Sequence, residues 1–170
     1  SGSKELPIAA NIGDKYSKVT DDGGIVFIRT TSNGFTTKKY LDGQETTVTE
    51  FYSKYGEEYI RSGDWLLCKE DGRLYTTYDS TIIELPDFKI NPVSFAVSPD
   101  GKYVVLAGTV TNATDYQIYV YNTQTKKSKT FADGDYSVHY NLFFPSNTTA
   151  CYYTKTTTGY NTVIIDLSKI

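Results

Sequence analysis

Methionine is absent from this 170-residue chain, histidine and tryptophan occur once each, cysteine twice and proline five times. Each scarcity narrows the chemistry. A serine hydrolase needs a nucleophile elbow, G-x-S-x-G, and a histidine within hydrogen-bond reach of its serine. No elbow occurs, and His139 is the one histidine. Cys68 and Cys151 make no disulfide framework, and neither belongs to a metal-spaced pair. No apolar run approaches the roughly 20 residues that span a bilayer as a helix, so no membrane insertion is expected within this segment. Charge is interspersed, with 17 Lys and Arg against 20 Asp and Glu for a net −3. The basic stripe that tracks a phosphate backbone is missing, which argues against a nucleic-acid partner.

What is abundant is aromatic and β-branched. Phe, Trp and Tyr reach 15% of the chain, with sixteen Tyr, and threonine recurs throughout. That mixture suits half-buried pleated strands and predicts an all-β fold. A chain of this length makes one domain, expected over 4–170, that buries roughly 70% of its extended surface. The opening Ser-Gly-Ser reads as a cloning scar over 1–3, and the missing initiator Met as the mark of a fragment. The tripeptides at 112–114 and 147–149 have the form of glycosylation acceptors, though such short matches arise by chance in a threonine-rich chain.

Self-similarity decides the architecture. "ELPDFKINPVSFAVSPDG" shares an opening and a register with "ELPIAANIGDKYSKVTDDG"; the copies begin at positions 84 and 5, 79 residues apart. That spacing is about twice the roughly 40 residues of a propeller blade, so one further unit is expected between them and one after. The units fall at about 11–50, 51–88, 89–134 and 135–170. Strands are predicted at 15–19, 25–30, 35–41 and 45–49; at 57–60, 65–69, 73–78 and 81–85; at 93–97, 103–107, 117–122 and 127–131; and at 139–143, 150–154 and 160–167. The fourth unit lacks an outermost strand, and residues 5–10 are expected to supply it. The fold is therefore a small β-propeller of four blade-like units, either a closed four-bladed ring or half of a larger propeller. A β-sandwich is the rival, because even spacing and turn signals suit it too.

The third unit carries the sharpest signature. Ser98-Pro99-Asp100-Gly101 separates two apolar strands, followed by a strand over 118–122 that ends in Asn122 before a polar turn. This pattern resembles a blade of the TolB-like propellers and of the propeller domains of dipeptidyl and prolyl oligopeptidases. The other units replace the turn with "DDGG", "SGD" and "PSNT", and no Gly-His or Trp-Asp pair of the WD type occurs. The resemblance implies a propeller with a binding or gating role rather than chemistry of its own.

The candidate site follows from that architecture. Loops entering inner strands gather on one face of a propeller around its channel mouth, which would bring together Phe51, Tyr52, Tyr55, Phe88, Tyr136, His139 and Tyr140. Aromatics with a polar tip are favoured at recognition surfaces; packing between blades is the plainer explanation. His139 reads first as an ordinary rim histidine and only then as a base or pH sensor. Acidic loops at 21–24 and 132–136 match turn chemistry rather than a calcium loop, and Glu57 and Glu58 alternate across a strand, so no metal site, cofactor or catalytic residue is assigned. Both cysteines fall on second strands of opposite units, too far apart to pair, and are expected to be unpaired and mostly buried. The expected function is a non-catalytic protein- or peptide-binding propeller domain, part of a bacterial secreted or membrane-anchored protein at the cell envelope or outside it. The alternatives are an accessory substrate-gating domain of a hydrolase whose catalytic domain lies outside this segment, or a glycan-binding module.

Overall fold

A computed structural model describes residues 14–32, 34–52, 59–69, 72–76, 78–79, 81–86, 90–110, 116–132 and 140–170. The described residues are all-β, in four antiparallel sheets taken in chain order. The first holds β1 (Asp14–Val19), β2 (Ile25–Thr31), β3 (Gly34–Leu41) and β4 (Gln44–Tyr52). The second holds β5 (Tyr59–Ser62), β6 (Trp65–Cys68), β7 (Arg73–Thr76) and β8 (Ile82–Glu84). The third holds β9 (Ile90–Val97), β10 (Tyr103–Val110), β11 (Tyr116–Asn122) and β12 (Lys127–Ala132). The fourth has three strands, β13 (Tyr140–Ser146), β14 (Thr149–Thr156) and β15 (Gly159–Asp166), and closes with a 3-10 turn at Leu167–Lys169. Each sheet is a meander of consecutive strands, as a propeller blade is.

These are the four units expected from the repeat, with some shifted boundaries. Pro145 and Ser146 belong to β13, so the fourth unit's first turn shrinks to Asn147-Thr148 between the paired Ser146 and Thr149. Leu167 leaves the strand because the Asp166 carboxylate accepts hydrogen bonds from the Ser168 N–H at 3.0 Å and hydroxyl at 2.6 Å, which bends the chain. Phe51 and Tyr52 extend β4 opposite Phe35 and Gly34. Residues 5–10 and the pair Glu57 and Glu58 lie outside the described residues.

The turn that identified the third unit is fully hydrogen-bonded. Ser98 Oγ donates to Asp100 Oδ1 at 2.7 Å and accepts from the Tyr103 N–H at 2.9 Å, while Lys102 N donates to Asp100 at 3.1 Å. Gly101, at φ +70°, takes the left-handed position that closes the turn onto the Ser98 carbonyl at 2.8 Å. The first unit builds nearly the same turn from other residues. Thr20 stands for Ser98 and Asp22 for Asp100: the hydroxyl reaches the carboxylate at 2.6 Å and the Gly24 N–H reaches it at 3.2 Å.

The chain divides into two compact units, 1–58 with 75–82, and 59–74 with 83–170. In the first, β2 buries Val26, Phe27 and Ile28 in succession, so both of its faces are covered. In the second, the third sheet is buried on both faces. Phe95, Val104, Leu106, Tyr119 and Tyr121 pack with Leu67, Leu74 and Leu85 of the second sheet's segment. Ala96, Val105, Ala107, Ile118 and Val120 pack with Leu142, Ala150, Tyr152 and Leu167 of the fourth. A two-layer sandwich buries one face of each sheet; here the middle sheet is filled from both sides, as a blade between blades is.

Candidate functional site

Stacking of this kind sets the first strands of successive sheets next to one another. Within the larger unit β5 lies beside β9, and β9 beside β13. The Leu142 N–H makes a long contact of 3.4 Å with Ser94 Oγ across the second of these junctions. The inner strands are irregular where they meet. β9 carries a bulge at Val93, where its register against β10 slips between Ala107 and Gly108. β13 slips between Tyr140 and Phe143, and Asn141 there takes φ +57°, a conformation asparagine tolerates better than most residues. Bulges re-aim side chains and occur next to functional sites more than elsewhere.

Besides Pro145 and Ser146 at the far end of β13, these adjacent strands leave exposed a candidate set: Arg61 on β5, Asn91 and Val93 on β9, and Asn141 and Phe143 on β13. Val93 is 48% exposed, although its neighbours Pro92 and Phe95 are buried. The set comprises one cation, two amides and two apolar groups. Arg61 Nε donates to the Gly63 carbonyl at 2.9 Å, which ties the guanidinium to the turn after β5. Phe143 stacks on Tyr153 with ring centroids 5.7 Å apart. Amides and an anchored guanidinium read main-chain and carboxylate groups, and the apolar side chains offer contact area.

The backbone approach is close beside this strip. A Cβ on Gly108 would stand 2.2 Å from the Asn91 carbonyl oxygen, so only glycine lets β10 run tight against the bulge.

Of the aromatic residues expected at the channel mouth, Phe51, Tyr52 and Tyr140 fall on described strands. Phe51 and Tyr52 end an outer strand, and Tyr140 opens β13 opposite Tyr153; the side chains of all three lie outside the described residues, as do Tyr55, Phe88, Tyr136 and His139 entirely. Arg61, Asn91, Val93, Asn141 and Phe143 were not singled out from the sequence. Val93 breaks the alternation of "INPVSFAV", and that was the available signal.

Several ionisable groups outside the strip serve turns, while Arg29 with Glu45 and Arg73 with Glu84 pair between strands. The Ser98 hydroxyl holds the Asp100 carboxyl below its usual range, and the Ser168 hydroxyl does the same for Asp166. Lys39 pairs with Asp22 and, with the Thr20 hydroxyl, depresses its pKa. Burial raises the Tyr121 phenol. Cys68 and Cys151 are both buried and form no disulfide. Among the described residues, no three His, Cys, Asp or Glu side chains gather as metal ligands, and no helix is long and apolar enough to cross a membrane.

No family model matches the chain, and no curated protein does. Among solved structures it is similar to TolB from Acinetobacter baumannii, with a TM-score of 0.52 at 15% identity over 89% of this chain and 40% of that one. The fold is thus TolB-like, and this chain spans less than half of that protein's length.

Proposed function

We propose that the chain is a non-catalytic protein- or peptide-binding propeller domain, part of a larger bacterial protein of the cell envelope or the outside. The observation that supports it most is the strip on β5, β9 and β13. Three bulged or short inner strands lying side by side carry the exposed Arg61, Asn91, Val93, Asn141 and Phe143, a mixture that suits peptide main chain and side chains together. The TolB-like fold is compatible with this reading but assigns no function by itself, so the site has to carry it.

A photo-crosslinking residue placed at Val93, compared with one at the exposed Ser128 on outer strand β12, tests it in extracts of the source cells. A discrete protein adduct at Val93 alone, weakened about tenfold by Asn91→Ala with Asn141→Ala, is expected. Equal labelling at both positions, or none, contradicts the reading.

A further inference from the structure

A hydroxyl taken out of water has to find a hydrogen-bond partner, because an orphaned one forfeits its hydration for nothing. Among the described residues two buried side-chain oxygens have no protein partner, Thr30 Oγ1 on β2 and Thr37 Oγ1 on β3. Thr37 is fully buried. The two share one face of the first sheet. Thr30 lies opposite Phe35 and Ile28 opposite Thr37, so Thr30 and Thr37 are diagonal neighbours across β2 and β3. Thr49 of β4 lies opposite Thr37 and continues the row on the same face.

That face is covered from within the same compact unit. The Lys18 ammonium sits over the Tyr78 ring, 4.9 Å from its centre, and Thr49 Oγ1 donates to the Asp79 carbonyl at 2.9 Å. Thr76 Oγ1 lies 2.9 Å from the same carbonyl and bonds the Asp79 carboxylate, which also accepts from the Thr81 N–H at 2.7 Å. The covering turn thus satisfies Thr49 and Thr76. Thr30 and Thr37, on the two strands further in, are left without an answer from the protein.

We infer that one internal water is bound on this face by the hydroxyls of Thr30, Thr37 and Thr49. It accepts from Thr30 and Thr37 and donates to Thr49, whose own proton is directed at Asp79. Three hydrogen bonds are the usual complement of a buried water. The spacing suits it, since diagonal residues on paired strands stand about 7–8 Å apart. That is too far for Thr30 and Thr37 to bond each other and short enough for one molecule to reach both hydroxyls. Water is the class of ligand that fits, because the three members are neutral groups that donate and accept, with no charge among them. The water ties β2 and β3 to the hydroxyl that holds the Asp79 turn. This site is separate from the strip on β5, β9 and β13 and does not depend on its reading.

The test counts long-lived internal waters in the full chain by deuteron relaxation dispersion, in the parent and in variants. Thr37→Val keeps the side chain's shape and removes its hydroxyl, so it should lose one such water, whereas Thr37→Ser should retain it. Thr30→Val, at a half-buried residue, should lose the same water and stands in if Thr37→Val does not fold. The two valine changes together should lose one water and not two. A high-resolution crystal structure should place that water about 2.7–2.8 Å from the Thr30 and Thr37 oxygens. An unchanged count in a folded valine variant overturns the inference. So does a crystal structure with a protein group bonded to Thr37 Oγ1, or with a cation in the water's place.

Discussion

Ser98 is 3% exposed and its hydroxyl both donates to Asp100 and accepts from Tyr103. Removing it strands a buried N–H, so Ser98→Ala should cost about 1–3 kcal/mol in urea unfolding. The linked carboxylate sets a pH response. The Asp100 pKa is lowered in the fold, first by the Ser98 hydroxyl, so its contribution is present above the unfolded value of about 3.9 and fades as pH falls through the lower folded value. Melting temperature should drop between pH 5 and pH 3, and Asp100→Asn should make that drop shallower. Gly108→Ala forces a Cβ to within 2.2 Å of the Asn91 carbonyl and should destabilise by roughly 1–3 kcal/mol, as overpacking does. Residues of this kind were unevenly legible. Ser98-Pro99-Asp100-Gly101 announced its turn, whereas Thr20-Asp21-Asp22-Gly23 builds nearly the same hydrogen bonds with a different hydroxyl and no proline. The chemistry repeats while the letters do not.

Among the elements, β10 shows how the stack is held. Val105 and Leu106, neighbours in sequence and both fully buried, belong to clusters on opposite faces of the third sheet. Leu106→Ala should cost about 2–5 kcal/mol. A double-mutant cycle of Leu106 with Leu67 should show coupling of about 0.5–3 kcal/mol, while Val105 with Leu67 should be nearly additive; the opposite outcome would mean that the clusters are not separate. Strand positions were largely readable, because apolar alternation and turn residues act locally. The ends were read less well. Leu167 continues an apolar run, yet the Asp166 carboxylate bends the chain before it. Phe51 and Tyr52 suit a strand as well as a loop, and pairing with Phe35 and Gly34 decides for the strand.

In the larger of the two compact units the whole is a stack: segments of the second sheet on the third, and the third on the fourth, with β5, β9 and β13 side by side. The repeat in the sequence carried this much, because each unit must bury its faces against neighbours. The candidate strip was not legible, since it depends on the bulges at Val93 and Asn141, which arise from register slips that no local pattern encodes. Methyl NOE spectroscopy of the chain tests the stack most directly. Leu106 should show NOEs to Leu67 and Leu74, and Val105 to Leu142 and Ala150, with neither methyl pair reached by a soluble paramagnetic agent. Solvent access to either Val105 or Leu106, as a two-layer sandwich would give, contradicts it.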